Sequence, residues 1–199
     1  PRFQHDPVSG KSLGFLSERQ TTNLMTWSEF GGASIYTNAS GNGATASTMF
    51  GPDGNLVTAA RYVSGADWFI YKGSTTASTV HTLSVYVRMD DGGAPNPGSY
   101  GPSFDFSLII GGVREDGAAI VVEHVGNNLY RVSGTATTGV TNLGNNGVLK
   151  HSAQSSRGFR TTGWQLEVNG KVTSNIKTEG SQVTRLFDSA TIDGKAFSS

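Results

Sequence analysis

Leu83-Ser84-Val85-Tyr86-Val87-Arg88-Met89 is the stretch whose reading decides the fold class. Leu83, Val85, Val87 and Met89 fall on one side of an extended chain; Ser84, Tyr86 and Arg88 fall on the other. A period of two with β-branched and aromatic content marks a half-buried strand. The same alternation returns in Phe104–Ile110, Leu129–Ala136 and Phe159–Val168, and no stretch of comparable strength has helical period. The chain therefore reads as all-β.

Composition narrows the class. The chain has 199 residues, enough for one large sandwich or two small domains. It carries 27 Gly against 6 Pro, which suits tight turns between short strands. Charged residues make up 15% and the formal net charge is zero, so there is no electrostatic footprint for nucleic acid and no basic face for anionic lipid. Near-neutrality also removes one barrier to self-association. With no Cys, disulfide scaffolds, Cys-ligated zinc and Cys nucleophiles are excluded. No apolar run approaches the length of a membrane-spanning helix, and the first residues are not expected to act as a signal peptide. It begins at Pro1, so it is expected to be processed or cut from a longer polypeptide.

Working outward, Pro1–Gly14 reads as an extended arm leading into a short strand at Leu13–Leu16. Leu24, Met25, Trp27 and Phe30 are expected to be buried. Gly31–Gly54 is rich in Gly, Ser, Asn and Thr, with a short strand at Ile35-Tyr36 and a strong turn at Gly51-Pro52-Asp53-Gly54. Strands follow at Leu56–Val63, Asp67–Lys72 and Val80–Met89. Asp90–Pro102 is the longest breaker stretch, and a connection of that length is functional or mobile. Ala119–Val125 and Leu129–Ala136 form a hairpin about Asn127-Asn128. Val140–Gly147 is loop, Val148–Ser152 a short strand, and Phe159–Val168 the last long strand, with Trp164, Leu166 and Val168 on one side and Gln165 and Glu167 on the other. Sandwich architecture follows from short alternating strands joined by Gly-rich turns.

Scattered blocks of this sequence resemble a domain common in bacteriophage fibre and other virion proteins. They begin with Arg2-Phe3, His5–Gly10, Leu13–Glu18, Thr22-Asn23-Leu24 and Trp27–Phe30. The family shows there a "GLLIEE"-like strand and then "RTNLL…SEDF"; Ser17 and Thr21 stand where Ile and Arg are common. The turn at Pro52-Asp53-Gly54, the strand Val80–Met89 ("YTFSVYVK" in the family) and Leu129–Thr135 ("WYRVSGT") continue the match. Trp164-Gln165-Leu166-Glu167, Thr173-Ser174 and Gln182–Arg185 are similar to its closing blocks, with Asn175-Ile176-Lys177 replacing a usual Tyr-Ile-Pro. The resemblance selects a jelly roll among sandwiches. It divides the chain into an arm and lead-in strand (1–22), a jelly-roll β-sandwich (23–180) and a linker toward a further module (181–199). It implies a non-catalytic structural or adhesive role on a virion surface, in a tail fibre, head fibre or capsid decoration. The implied partners are other virion proteins, further copies of the chain as a homotrimer, and a host-surface polysaccharide.

Candidate chemistry is sparse. His5, His81, His124 and His151 lie in no nucleophile motif and read as surface or packing residues. Glu123 and Glu167 are the strand-borne carboxyls that a glycosidase would need to bring together; Glu167 reads rather as the anchor of a loop. Jelly-roll modules often hold calcium, and Asp53, Asp90, Asp91, Asp188 and Asp193 sit in turns. None has calcium-loop spacing, and ordinary Asx-turn chemistry stands ahead of a structural calcium as the account of them, so no cofactor is assigned. Sugar recognition needs exposed aromatic platforms. Trp27 and Trp164 lie among apolar neighbours and read as core. Trp68, Tyr71, Tyr86 and Tyr100 are the candidate glycan contacts: Trp68 or Tyr71 faces out of its strand, Tyr86 alternates outward, and Tyr100 sits in the long loop. The same aromatics would serve a subunit interface equally well. A carbohydrate-binding module of a secreted bacterial protein is the alternative reading.

Overall fold

A computed structural model of the chain describes residues 2–5, 9–16, 18–30, 36–37, 44–63, 68–71, 75–115 and 120–187. The described elements are all strands: β1 (Arg2–His5), β2 (Ser12–Leu16), β3 (Thr21–Asn23), β4 (Tyr36–Thr37), β5 (Thr45–Phe50), β6 (Leu56–Tyr62), β7 (Trp68–Tyr71), β8 (Val80–Met89), β9 (Ser107–Ile110), β10 (Val113–Glu115), β11 (Ile120–Gly126), β12 (Leu129–Thr137), β13 (Asn146–Leu149), β14 (Phe159–Glu167) and β15 (Val183–Arg185). A six-stranded sheet runs β11-β12-β8-β14-β6-β5 and a five-stranded sheet runs β10-β9-β13-β7-β4; β1-β2 and β15-β3 are separate pairs. Every pairing between these strands is antiparallel.

Strand β8, which carries Leu83–Met89, lies inside the six-stranded sheet, with β12 and β14 on its two sides. Its alternation works as expected: Leu83, Val85, Val87 and Met89 are at most 2% exposed and enter the main core. That core takes Ala60 and Tyr62 from β6, Val132 and Ala136 from β12, and Phe159, Trp164 and Leu166 from β14. Leu108, Ile110 and Val148 of the five-stranded sheet join the same cluster, with Phe106 just before β9. Phe159 stacks on Tyr62 with ring centroids 4.6 Å apart and meets Phe106 at 4.8 Å. Each fully buried large side chain of this kind contributes about 1.5–3 kcal/mol.

Turns form where their chemistry predicts. Asn127 and Asn128 have φ of 50° and 57°, the left-handed pair of a type I′ turn, and join β11 to β12. At Gly51–Gly54 the Gly54 amide donates to the Gly51 carbonyl, and Asp53 closes an Asx turn by accepting from the Asn55 backbone N–H at 3.0 Å.

Strand β14 contains the step that sets its two faces. Its register against β8 shifts between Thr162 and Gln165, and Gly163 sits there at φ +62°. A left-handed Gly is the mark of a bulge that adds one residue to one strand. Before it, Phe159 and Thr161 are buried on the core side. After it, Trp164 and Leu166 take that side, and Gln165 and Glu167 go to the other. Val168, expected to follow Trp164 and Leu166 inward, is 54% exposed because the strand ends at Glu167.

Three further expectations differ from the structure. Residues 45–50, where the sequence suggests no strand, form β5, whose Thr-Ala-Ser-Thr run carries no apolar alternation. The linker expected from residue 181 does not begin there: Val183–Arg185 pairs with Asn23–Thr21, and Arg185 reaches the Glu18 carboxylate at 3.1 Å. Residues 188–199 lie outside the described residues. Trp27 is only half-buried, in a bridge to Glu179; Trp164 and Met25 are fully buried as expected.

The long connection after β8 is tied down. Arg157 grips Asp91 with two nitrogens, at 2.7 and 2.9 Å, and donates to Asp105 at 2.7 Å and to the Ala94 carbonyl at 3.1 Å. Asp105, 1% exposed, also accepts from the Asn96 backbone N–H. Lys150, fully buried, donates to the carbonyls of Asp105, Ser155 and Arg157. The Arg157 hydrogen bonds hold the Asp91 carboxyl down to about 2. A carboxyl with a depressed folded-state pKa stabilises the fold above its unfolded value, near 4, and loses that contribution as pH falls toward the folded value. Asp91→Asn is therefore expected to lower the melting temperature at pH 6. The gap from wild type should close between about pH 4 and pH 2. A gap that stays constant down to pH 2 would show that the pair contributes nothing.

Candidate functional site

The face of the six-stranded sheet away from the core begins with outward side chains of β8. Cross-strand pairing aligns Arg61, Arg160 and Arg88 in one row across β6, β14 and β8. The next row carries Thr162, Tyr86, Arg131 and Glu123.

This face is not open. β6 pairs with β14 only over Ala60–Tyr62. The remainder of the β5–β6 hairpin leans over the sheet, and Thr162 Oγ1 donates to the Thr58 carbonyl at 2.9 Å. Met49 and Ala59 of the hairpin form a second apolar cluster with Tyr86 and Leu129, and Val57 and Val125 pack against it. Tyr86 is consequently 5% exposed, which corrects its expected outward role as a sugar platform. Arg131 lies with its Cζ 5.3 Å from the Tyr86 ring centre and donates to Ser84 Oγ at 3.0 Å. Burial pushes the Tyr86 phenol above its ordinary value; nearby Arg131 opposes the shift and Glu123 adds to it.

Beside this cluster the hairpin tip leaves a pocket of about 380 Å³. Phe50, Gly51, Pro52 and Gly54 form one wall; Arg88, Val125, Gly126, Asn127 and Leu129 form the rest. Phe50 is 55% exposed, so an aromatic face is available to a ligand. Arg88 is the distinctive member. Its neighbour Arg160 pairs with Asp90, and Asp90 also takes Arg61. Among the described residues no carboxylate pairs with Arg88, and its buried Nε has no hydrogen-bond partner. A guanidinium that lines a pocket with no carboxylate partner favours an anion, which would bring the missing opposite charge.

The other anticipated contacts lie apart from this pocket. Trp68 and Tyr71 end β7 of the five-stranded sheet, opposite Leu149 and Asn146; their side chains lie outside the described residues. Tyr100 is 46% exposed in the long connection, with its ring 4.4 Å from that of His151. The four anticipated aromatics thus fall on three different elements. Phe50, Arg88 and Asn127 were not anticipated. Their signals were present, in an aromatic beside a Pro-Asp-Gly turn and an Arg on the polar side of β8, but the hairpin that joins them is a tertiary feature.

The paired-carboxyl site does not assemble from Glu123 and Glu167. Their strands are separated by β12 and β8, and their rows by four residues along the strand. At ~4.8 Å per strand and ~3.4 Å per residue the separation is about 20 Å, against roughly 5–9.5 Å for glycosidase pairs. Glu167, fully buried, accepts from the Thr173 backbone N–H and from the hydroxyls of Thr173 and Thr21, as a loop anchor should.

His81 is a packing residue, with the Thr76 N–H donating to Nε2 at 3.3 Å. His124 meets Tyr130 at 5.0 Å; the side chain of His5 lies outside the described residues. Among those described, no three His, Asp or Glu side chains converge as a metal would require. Asp53 is engaged by Asn55, whose side-chain bond lowers its pKa; Asp90 and Asp91 are held by arginines, and Asp188 and Asp193 are not described. No helix among the described residues is long and apolar enough to cross a membrane.

No known family model matches the chain, and no curated protein is significantly similar to it.

Proposed function

We propose that the chain is a structural domain of a bacteriophage virion, from a tail fibre, head fibre or capsid decoration, displayed on the particle surface. In this reading the two larger sheets form a jelly-roll β-sandwich, and no catalytic step is assigned to it. One observation carries the proposal: blocks that resemble the virion family, though scattered in sequence, meet in one hydrogen-bonded cluster. Asn23 donates to the Trp164 and Ile176 carbonyls and accepts from the Leu166 N–H. Gln165 bonds to Thr173, Ser174 and Ile176, while Val183–Arg185 pairs with Thr21–Asn23. Separate motifs that cooperate in one buried network support a common structural plan.

Fibres act by copy number, so the expected assembly is a homotrimer that binds other virion proteins along its length and a host-surface polysaccharide at an exposed face. Light scattering of the purified chain is expected to give three times its 20.9 kDa mass. Mass spectrometry of purified particles is expected to detect the chain. A monomer that is absent from particles would defeat the proposal.

The alternative, a carbohydrate-binding module of a secreted bacterial protein, draws support from the pocket at Phe50 and Arg88, which is built from one copy alone. Glycan binding by a monomer attached to a hydrolase would favour it.

A further inference from the structure

We propose that the pocket between the β5–β6 hairpin tip and the β11–β12 turn takes a single acidic sugar residue, with its carboxylate on Arg88 and its apolar C–H face on Phe50. The inference rests on the glycan-attachment part of the function proposed above and names the ligand class.

Three features of the pocket lead to this class. Its volume of about 380 Å³ lies at the small end of ligand sites, which span roughly 300–1,000 Å³, and suits one ring rather than a chain. Its charge is cationic and uncompensated: Arg61, Arg160 and Arg88 stand in one cross-strand row, and Asp90 pairs with the first two. Arg88 keeps a buried Nε without an acceptor. A neutral sugar would offer the Arg88 guanidinium only uncharged hydroxyl acceptors, whereas a carboxylate can accept two parallel charge-assisted N–H bonds from it. The walls supply the remaining recognition. Phe50 presents an exposed ring, Leu129 an apolar floor at 4% exposure, and Asn127 an amide at the rim. An aromatic face with one charged group and one amide is a pattern that orients an amphipathic ring. Phosphate would engage Arg88 but gain nothing from Phe50 and Leu129.

The test titrates the full chain with methyl glucuronide and, separately, with methyl glucoside, reading backbone amide shifts by NMR. The glucuronide is expected to move Gly54, Gly126, Asn127 and Leu129; the glucoside should bind at least about tenfold more weakly, as loss of a charge-assisted bond implies. Arg88→Gln should weaken glucuronide binding about tenfold. Phe50→Ala, at an exposed position that cannot unsettle the core, should weaken it about threefold. Inorganic phosphate should bind Arg88 without sensitivity to Phe50→Ala. Equal response to the two glycosides, no response to either, or undiminished binding in both variants would overturn the inference. The virion reading fails separately: glucuronide binding by a chain absent from particles would leave this site standing and remove that role. A particle-borne chain blind to glucuronide would do the reverse.

Discussion

Asn23→Asp is expected to cost about 5 kcal/mol, a third or more of the roughly 5–15 kcal/mol that holds an ordinary domain folded. Asn23 is fully buried and uses all four of its hydrogen-bonding positions. Its Nδ2 donates to the carbonyls of Trp164 and Ile176, both at 2.9 Å. Its Oδ1 accepts from the N–H groups of Met25 and Leu166, both at 3.1 Å. The four partners belong to three chain segments, so this side chain links β3 to β14 and to the segment after it. An Asp of the same shape keeps the two acceptor bonds. It turns the two donors into an oxygen facing carbonyls, and it buries a charge with no cation beside it. Asn23→Ala removes the side chain without adding a charge and should cost about 3 kcal/mol, from buried groups left unpaired. Urea unfolding followed by tryptophan fluorescence would give both values. The decisive result is the order: Asp no worse than Ala would mean that water satisfies these carbonyls and that the site is not buried as described.

The second large effect is at Gly163. Its φ of +62° is costly for any residue with a side chain, and a Cβ there would stand 2.5 Å from Cδ2 of Tyr86. Tyr86 cannot retreat, because Met49, Ala59 and Leu129 pack around it. Gly163→Ala should therefore lose about 3 kcal/mol, the sum of about 1–2 for left-handed backbone and 1–3 for overpacking. Gly54 is the control. Its φ is +78° and nothing lies within 4 Å of its would-be Cβ, so Gly54→Ala should lose only the backbone part, about 1 kcal/mol. Equal losses at the two glycines would show that the Tyr86 contact relaxes freely.

These two residues also show what could be read from sequence. The strands β8, β12 and β14 were legible because alternation is a local property of a half-buried strand. The loop-anchoring role of Glu167 followed from its place at a strand end. Yet the side of β14 that faces the core before residue 163 differs from the side after it, and only the bulge joins the two phases. β5 was hidden because Thr45–Thr48 buries little apolar surface of its own. Its hairpin is what buries Tyr86, and an outward position on a strand says nothing about what another part of the chain lays over it. The pocket at Arg88 was illegible for the same reason. The turn at Gly51–Gly54 and the arginine are each visible in the sequence, but their meeting depends on how far β6 peels from β14.

The pairing of β3 with β15 has a mechanical consequence. Thr21 stands opposite Arg185 and Asn23 opposite Val183, so the polypeptide enters and leaves this ladder at one end. A force pulling residues 20 and 186 apart would act across three facing pairs in succession, peeling them open like a zip instead of loading them together. The Glu18–Arg185 ion pair stands beside that first pair and would feel the pull early. In a string of modules under tension, such a unit hangs as a side pendant, and the load path bypasses the main core until this small clasp lets go.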